Sequence, residues 1–486
     1  MSTLVDILRR RALEQPERLA YVFLADGEEE EARLTYAQLD ERARAVAALL
    51  QELGIDRQDG GGRALLLFPT GPDYVAAFYG CLYAGVTAVP AYPPRPNRPM
   101  PRIQAIAADA RAGVALTTSA ILSGVERRVA DLPDLQALAW RATDVLDAGA
   151  SSSWREPRIG ADTLAFLQYT SGSTASPKGV MVSHANLLHN EALIRDACGH
   201  REDTPCVSWL PLYHDLGLIG NMIQSLYVGT PCTLMAPVAF LQSPIRWLRA
   251  VSRYRAHTSG GPNFAYDLCA RKITPEQAEG LDLSSWRVAF NGAEPVRAET
   301  LERFARAFEP YGFRSEALFP CYGLAETTLI VSAGAATAPP VVGRFRAGEL
   351  ARHRAVEAPE EVETRELVGC GQVLGDLEVA IVEPESLARR AEGEVGEVWV
   401  AGGSVARGYW DRPEVTAETF EARTADGAGP FLRTGDLGFL RGGELYITGR
   451  IKDLIIIRGA NHYPQDIERT VELSHPALVP GASAAF

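Results

Sequence analysis

The stretch LAFLQYTSGSTASPKGVMVSHANLLHN, Leu164 to Asn190, decides the architecture. Its apolar opening, Leu164 to Tyr169, reads as a buried strand that runs into a loop of Thr170, Ser171, Gly172, Ser173 and Thr174, closed by Pro177-Lys178-Gly179. Val180 to Val182 resume as strand, and Ser183 stands at the N-cap of the next helix. Such a loop suits a polyphosphate. Gly172 lets backbone N–H groups approach phosphate oxygens, the hydroxyls of Thr170, Ser171, Ser173 and Thr174 add donors, and Lys178 supplies a mobile charge. It is not the G-x-x-x-x-G-K-S/T phosphate loop, because Lys178 is followed by glycine and strand rather than by a helix. On composition alone, a flexible Ser/Gly surface loop accounts for the stretch equally well.

Upstream, Thr35 and Gln38 form a capping-box signature, and Leu39, Ala43, Val46, Ala47 and Leu50 recur on one helical face until Gly54. ALLLF (64–68) is a short apolar run of the kind buried in parallel sheets. The uncharged stretch from Tyr74 to Pro94 is interrupted by Gly80, Gly85 and Pro90, so it is expected to be a buried helix and strand rather than a membrane span. Strands alternating with helices indicate an α/β fold. PPRPNRPMPR (93–102) is expected to be a surface loop, and the Ser-rich GASSSW (149–154) a subdomain boundary. Downstream of about residue 365 the texture becomes β-rich, with Gly442-Gly443 as a two-residue hairpin turn. The charged, weakly periodic segment Arg344 to Thr364 is expected to be an insertion rather than a core element.

With 486 residues, the chain has room for about three domain-sized units of ~150 residues. Hydrophobic residues at 47% and charged residues at 22% describe an ordinary globular enzyme and exclude disorder, collagen and coiled coil. A net charge of -13 removes the general basic footprint of a nucleic-acid binder. Seven scattered cysteines without a Cys-x-x-Cys point to a reducing, cytoplasmic setting, and the charged start MSTLVDILRRRALEQ carries no export signal. GCGQVLG (369–375) is one residue too long for the dinucleotide fingerprint, and neither G-x-S-x-G nor H-E-x-x-H occurs. His184 and His189 are five apart, a poor spacing for one helical face, so structural roles are expected of them.

Six segments then occur in order: YTSGSTASPKG (169–179), PLYHDLGLIG (211–220), NGAEPV (291–296), CYGLAETT (321–328), RTGDLG (433–438) and GRIKDLIIIRG (449–459). Together they resemble the adenylate-forming (ANL) superfamily of acyl-CoA synthetases, peptide-synthetase adenylation domains and luciferases. GGPNFAYDLC (260–269), the continuation of the last segment to Glu468 and the charged segment before GCGQ are most similar to the fatty acyl-AMP ligases. The resemblance implies an α/β fold with a large N-terminal adenylation domain, residues 1–450, of two α/β subdomains and a distorted β-barrel. The hinge and the start of a small C-terminal domain would follow at 451–486. It implies ATP and Mg2+ as cofactors, a fatty acid as substrate, and the phosphopantetheine thiol of an acyl carrier protein as acceptor. No nucleic-acid partner and no membrane span are expected.

Carried over position by position, the resemblance makes 169–179 the phosphate cradle, with Lys178 on the phosphates, and puts Gly292, Ala293 and Glu294 beside the adenine. Tyr322, followed by Gly323, would stack on that base. Glu326 would bind magnesium as a hard oxygen ligand, and Asp436 would accept both ribose hydroxyls, helped by Arg450. Lys452 falls at the hinge, and His214 near the substrate carboxylate. The acyl tunnel is expected to draw on Met222, Gly260 and Phe264, where glycines leave room and the larger side chains form a wall; core packing is the competing reading of the same residues. The family's small domain would run roughly a hundred residues past Phe486, so weak activity is expected of this chain. The rival expectations are an acyl-CoA synthetase and a non-catalytic acyl- or nucleotide-binding module.

Overall fold

The computed structural model describes residues 2–55, 62–95, 98–129, 132–170, 177–358, 364–457, 460–475, 477–478 and 483–486. The chain divides into two compact units, residues 1–259 with 406–413, and residues 260–405 with 414–486.

The first unit begins with α1 (Leu4–Glu14), β1 (Leu19–Leu24), β2 (Glu30–Thr35) and α2 (Tyr36–Glu52). The capping box at Thr35 forms in both directions, and Leu39, Ala43, Val46, Ala47 and Leu50 are buried as their spacing predicts. Next come β3 (Arg63–Leu67), α3 (Pro72–Ala84), β4 (Thr87–Ala91), α4 (Pro101–Ala110), β5 (Val114–Thr117), β6 (Ala139–Ala142), β7 (Leu164–Tyr169) and β8 (Gly179–Ser183). These strands form one sheet, ordered β6-β5-β3-β4-β7-β8, parallel except for the antiparallel β7–β8 pair. Every residue of α3 from Tyr74 to Ala84 is buried, which explains its membrane-like composition. Among the described residues no helix is long and apolar enough to cross a membrane.

The expected boundary at GASSSW is corrected. Ala148–Ser153 forms a 3-10 helix within the β6-to-β7 connection of a single sheet. Trp154 Nε1 donates to the Tyr83 carbonyl at 2.8 Å, and Gln51 Nε2 to that of Arg155 at 2.7 Å. Serine suits a 3-10 helix as well as a linker, and composition alone does not separate the two. Helix α5 (His184–Cys198) follows, then β9 (Cys206–Ser208) and β10 (Cys232–Met235), which extend a second sheet in the order β9-β10-β1-β2.

Strand β11 (Thr258–Gly261) straddles the division between the units. In the second unit, α6 (Asn263–Lys272), β12 (Val288–Asn291), α7 (Ala298–Phe308), β13 (Leu318–Gly323) and β14 (Ile330–Ala333) precede β15 (Val342–Arg346), β16 (Thr364–Val368) and β17 (Gln372–Val373). Strands β12 and β13 are parallel neighbours. An antiparallel sheet of β18 (Glu378–Val382), β19 (Gly396–Ala401), β20 (Leu432–Arg441) and β21 (Glu444–Arg450) supplies the expected β-rich region. Gly442 and Gly443 turn β20 into β21 with φ of +59° and +80°, the left-handed pair such a hairpin requires.

The expectation that Arg344 to Thr364 is no core element is also corrected. β15 and β16 pair antiparallel, and Phe345, Leu350 and Ala355 are buried with Leu437, Phe439 and Tyr446. The Phe345 ring meets Phe439 edge-on at 5.1 Å. Charges dominate the segment's exposed face and mask three well-spaced anchors; residues 359–363 lie outside the described residues.

Candidate active site

In the first unit the β7–β8 hairpin pairs Tyr169 with Gly179, so the two ends of the suspected phosphate loop face each other. A Cβ at Gly179 would sit 3.0 Å from the Tyr169 ring, so only glycine lets that ring lie across the hairpin. The Thr170 carbonyl accepts from Arg102 at 2.8 Å. Ser171, Gly172, Ser173 and Thr174 lie outside the described residues. Lys178 is half-buried, its Nζ 5.0 Å from the ring centroid of Tyr409.

Helix α5 starts behind the loop, with Ser183 capping as expected. His184 is structural: it is buried, its Nδ1 accepts from the Leu4 N–H at 3.3 Å, and burial holds its imidazole down to about 4. His214 occupies the N-cap of the short turn Asp215–Gly217. Its Nδ1 lies 2.6 Å from Asp215 Oδ1, whose charge pushes the half-exposed imidazole above its ordinary value. Two bonds fix the residues before this turn, from Gln168 Nε2 on β7 to the Tyr213 carbonyl (3.1 Å) and from the Tyr74 hydroxyl on α3 to the Leu212 carbonyl (2.6 Å). Met222 is fully buried in a π-helical turn, Leu218–Ile223, a local geometry that often marks functional sites.

In the second unit, β12 ends at Asn291, fully buried, with neither amide atom paired among the described residues. At Gly292 a Cβ would come within 2.9 Å of Cys321 on neighbouring β13, and Ala293 takes φ +67°. The next residue, Glu294, accepts from the Phe264 N–H at 2.6 Å, while Asn263 Oδ1 accepts from the Arg297 N–H at 3.1 Å. These two bonds staple the GGPNF and NGAEPV segments together, and burial pushes the Glu294 carboxyl up. Phe264 is 42% exposed at the start of α6, so packing does not account for it. Gly260, expected beside the acyl chain, lies against the neighbouring strand β12. A Cβ there would strike the Phe290 carbonyl at 2.2 Å, so this close approach requires glycine.

Tyr322, Asp436 and Arg450 converge in one cluster. Asp436 on β20 stands opposite Arg450 on β21. The Tyr322 hydroxyl donates to Asp436 Oδ2 at 2.8 Å and Arg450 Nε to Oδ1 at 2.9 Å. Asp436 is buried, which pushes its carboxyl up, with Arg450 and Tyr322 pulling it part of the way back. An ionised carboxylate has about four acceptor positions, so two are taken here and two are left.

Gly323 follows Tyr322, pressed against the Leu329 backbone, and Glu326 sits in a single turn, Ala325–Thr327. Thr328 then takes φ +68° and ψ -63°, a γ-turn closed by Leu329 N–H to Thr327 C=O at 2.8 Å and anchored by the Thr328 hydroxyl on the Ser404 carbonyl at 2.7 Å. A β-branched residue with positive φ stores strain, a feature that clusters at functional sites. It was not legible in the sequence, since CYGLAETT contains no glycine or asparagine at that position. Among the described residues no group of three or more His, Cys, Asp or Glu side chains could hold a metal. Glu326 offers one carboxylate, a hard oxygen donor of the kind that suits an ion shared with phosphates. Lys452 lies on the exposed turn Ile451–Asp453 just after β21.

The AMP-binding enzyme family model matches residues 8–410. The medium-chain fatty acid–acyl-carrier-protein ligase JamA of Moorena producens is 50% identical over all of this chain and 83% of its own length. The corresponding ligase TtuA of Teredinibacter turnerae is 38% identical, over all of this chain and 82% of its own. A solved fatty acyl-adenylate ligase of Legionella pneumophila, in complex with acyl adenylate and pyrophosphate, superimposes with a TM-score of 0.88 at 44% identity, covering 98% of this chain and 81% of that one. The ordered motifs, the acceptor cluster at Asp436 and these likenesses agree: the chain belongs to the AMP-binding enzyme family and, within it, to the fatty acyl-AMP ligases of the adenylate-forming superfamily.

Proposed function

We propose that this enzyme activates a fatty acid with ATP and hands the acyl group to the phosphopantetheine thiol of an acyl carrier protein in biosynthesis. A carboxylate oxygen attacks the α-phosphorus of ATP, the bond to the β-phosphate oxygen breaks, and pyrophosphate leaves. The carrier thiolate then attacks the acyl carbon and AMP departs with its new oxygen. No protein nucleophile is needed, because phosphoryl chemistry of this kind is carried by positioning and charge stabilisation.

In this reading Lys178 and the 170–174 loop hold the phosphates, Tyr322, Gly323, Gly292, Ala293 and Glu294 hold the adenine, and Asp436 with Arg450 holds the ribose. His214 orients the fatty-acid carboxylate, and Met222 and Phe264 border the chain. Glu326 would hold magnesium, which neutralises charge on the phosphates when bound. Lys452 would act as the hinge, with the domain boundary at 450/451. The scattered cysteines support a cytoplasmic setting.

The observation that carries the proposal is the buried Asp436, with two acceptor positions taken by Tyr322 and Arg450 and two left, the number a ribose diol can use. The test offers fatty acid and ATP with coenzyme A or with a holo acyl carrier protein, in parallel. Thioester on the carrier and none on coenzyme A is the expected result. Acyl-CoA formed at a comparable rate would assign an acyl-CoA synthetase instead, and nucleotide binding without any adenylate would assign a binding module.

A further inference from the structure

The segment Ala406 to Pro413, ARGYWDRP, belongs to the first unit although some 150 residues of the second unit precede it in the chain. It runs alongside β8 and bonds to it through Met181 N–H to Gly408 C=O (2.9 Å), Arg407 N–H to Met181 C=O (3.0 Å) and Trp410 N–H to Gly179 C=O (2.8 Å). Tyr409 faces Val180 in this ladder, and its ring lies 5.0 Å from Lys178 Nζ. The residues that follow Tyr409 are anchored to the first unit. Arg63 sits 4.7 Å over Trp410, and Arg412 pairs with Asp109 of α4. The other Asp109 oxygen accepts from the Tyr169 hydroxyl at 2.7 Å. One segment thus reaches both Tyr169, where the loop leaves the sheet, and Lys178, where it returns.

We infer that Tyr409 is a positioning residue for Lys178, its ring face holding the ammonium group at the mouth of the phosphate loop. A free lysine side chain samples many rotamers, and the attraction of a cation to a ring face offsets part of the cost of ordering it before nucleotide arrives. A ring mounted on a segment hydrogen-bonded to β8 limits where that charge can stand. This inference rests on the reading of Lys178 as a phosphate ligand.

Pyrophosphate exchange with Tyr409→Phe, Tyr409→Leu, Lys178→Ala and the Tyr409→Leu/Lys178→Ala pair separates the two ideas. Tyr409→Phe keeps the ring face and should stay within about twofold of wild type, while Tyr409→Leu should lower kcat/KM for ATP roughly 3- to 30-fold. In the Lys178→Ala background Tyr409→Leu should add nothing. A full-rate Tyr409→Leu enzyme, or an equal loss in both backgrounds, overturns the positioning role. A full-rate Lys178→Ala enzyme refutes the phosphate reading and the inference with it. If Tyr409→Leu does not fold, progressively fluorinated phenylalanines at 409 replace it, since they empty the ring face of negative charge at constant shape. Stepwise loss of kcat/KM along that series supports the role, and a flat series overturns it.

Discussion

Asp436→Asn is the most informative single change, because the structure says which hydrogen bonds it removes. The carboxylate spends one lone pair of Oδ2 on the Tyr322 hydroxyl at 2.8 Å and one of Oδ1 on Arg450 Nε at 2.9 Å. In the amide, Arg450 can only donate and must face the remaining oxygen, so the amide nitrogen turns to Tyr322, whose hydroxyl can accept. One free acceptor is left where there were two. The loss of one charge-assisted bond, ~1.5–3 kcal/mol, weakens ATP binding roughly 10- to 150-fold. Folding should barely change: burial already makes the ionised Asp436 costly, so the neutral amide removes that cost while giving up charge on the Arg450 bond, a net of about 1 kcal/mol or less. Titration calorimetry with ATP and 2′-deoxy-ATP reads the effect. Wild type should prefer ATP clearly, and the variant should lose most of that preference. An unchanged ATP affinity, or the same preference in both proteins at equal urea midpoints, would refute the ribose assignment.

Lys178→Ala should lower acyl-AMP formation about 10²- to 10³-fold, the usual loss of a preorganised charge stabiliser, as measured by pyrophosphate exchange. Phe264→Ala, at a 42% exposed position, should move stability by no more than about 0.5 kcal/mol yet raise the KM for fatty acid, whereas Gly260→Ala should destabilise through the Phe290 carbonyl; melting curves and fatty-acid titrations distinguish them. Phe345→Ala should cost about 3–5 kcal/mol in urea denaturation, and excision of 344–364 should unfold the second unit rather than loosen a hinge. Acid should destabilise the first unit: burial lowers His184 to about 4 and His200 to about 3, so the folded state binds fewer protons than the unfolded one. That contribution is complete above pH 6.5 and drains as pH falls towards those values, roughly 3 kcal/mol from His184 alone; His184→Asn, which keeps an acceptor for Leu4, should flatten the pH slope of the urea midpoint.

The elements that declared themselves are those whose local chemistry is sufficient. The capping box at Thr35, the N-cap at Ser183, the apolar β3 and the Gly442-Gly443 hairpin each carry their geometry in two to six adjacent residues. The motif residues Tyr322, Asp436 and Arg450 were identifiable from resemblance, but their mutual hydrogen bonds were not, since 114 positions separate Tyr322 from Asp436. GASSSW and the 344–364 segment misled because composition reports the exposed face, while Trp154, Phe345 and Leu350 do the anchoring. The close approach at Gly260 was not legible either, as a glycine demanded by a neighbouring strand looks identical in sequence to one that makes room for a ligand. Tyr409 and Thr328 carried no signal, because their significance lies in what the fold brings to them, the lysine at 5.0 Å and the strained turn after Glu326.

The central claim is that a fatty-acid carboxylate attacks the α-phosphorus of ATP. Fatty acid labelled with 18O in both carboxylate oxygens tests it directly, with AMP analysed by mass spectrometry after thiol capture of the acyl group. The account predicts one 18O atom in each AMP released; AMP without label would mean that water cleaved the nucleotide, and would contradict it.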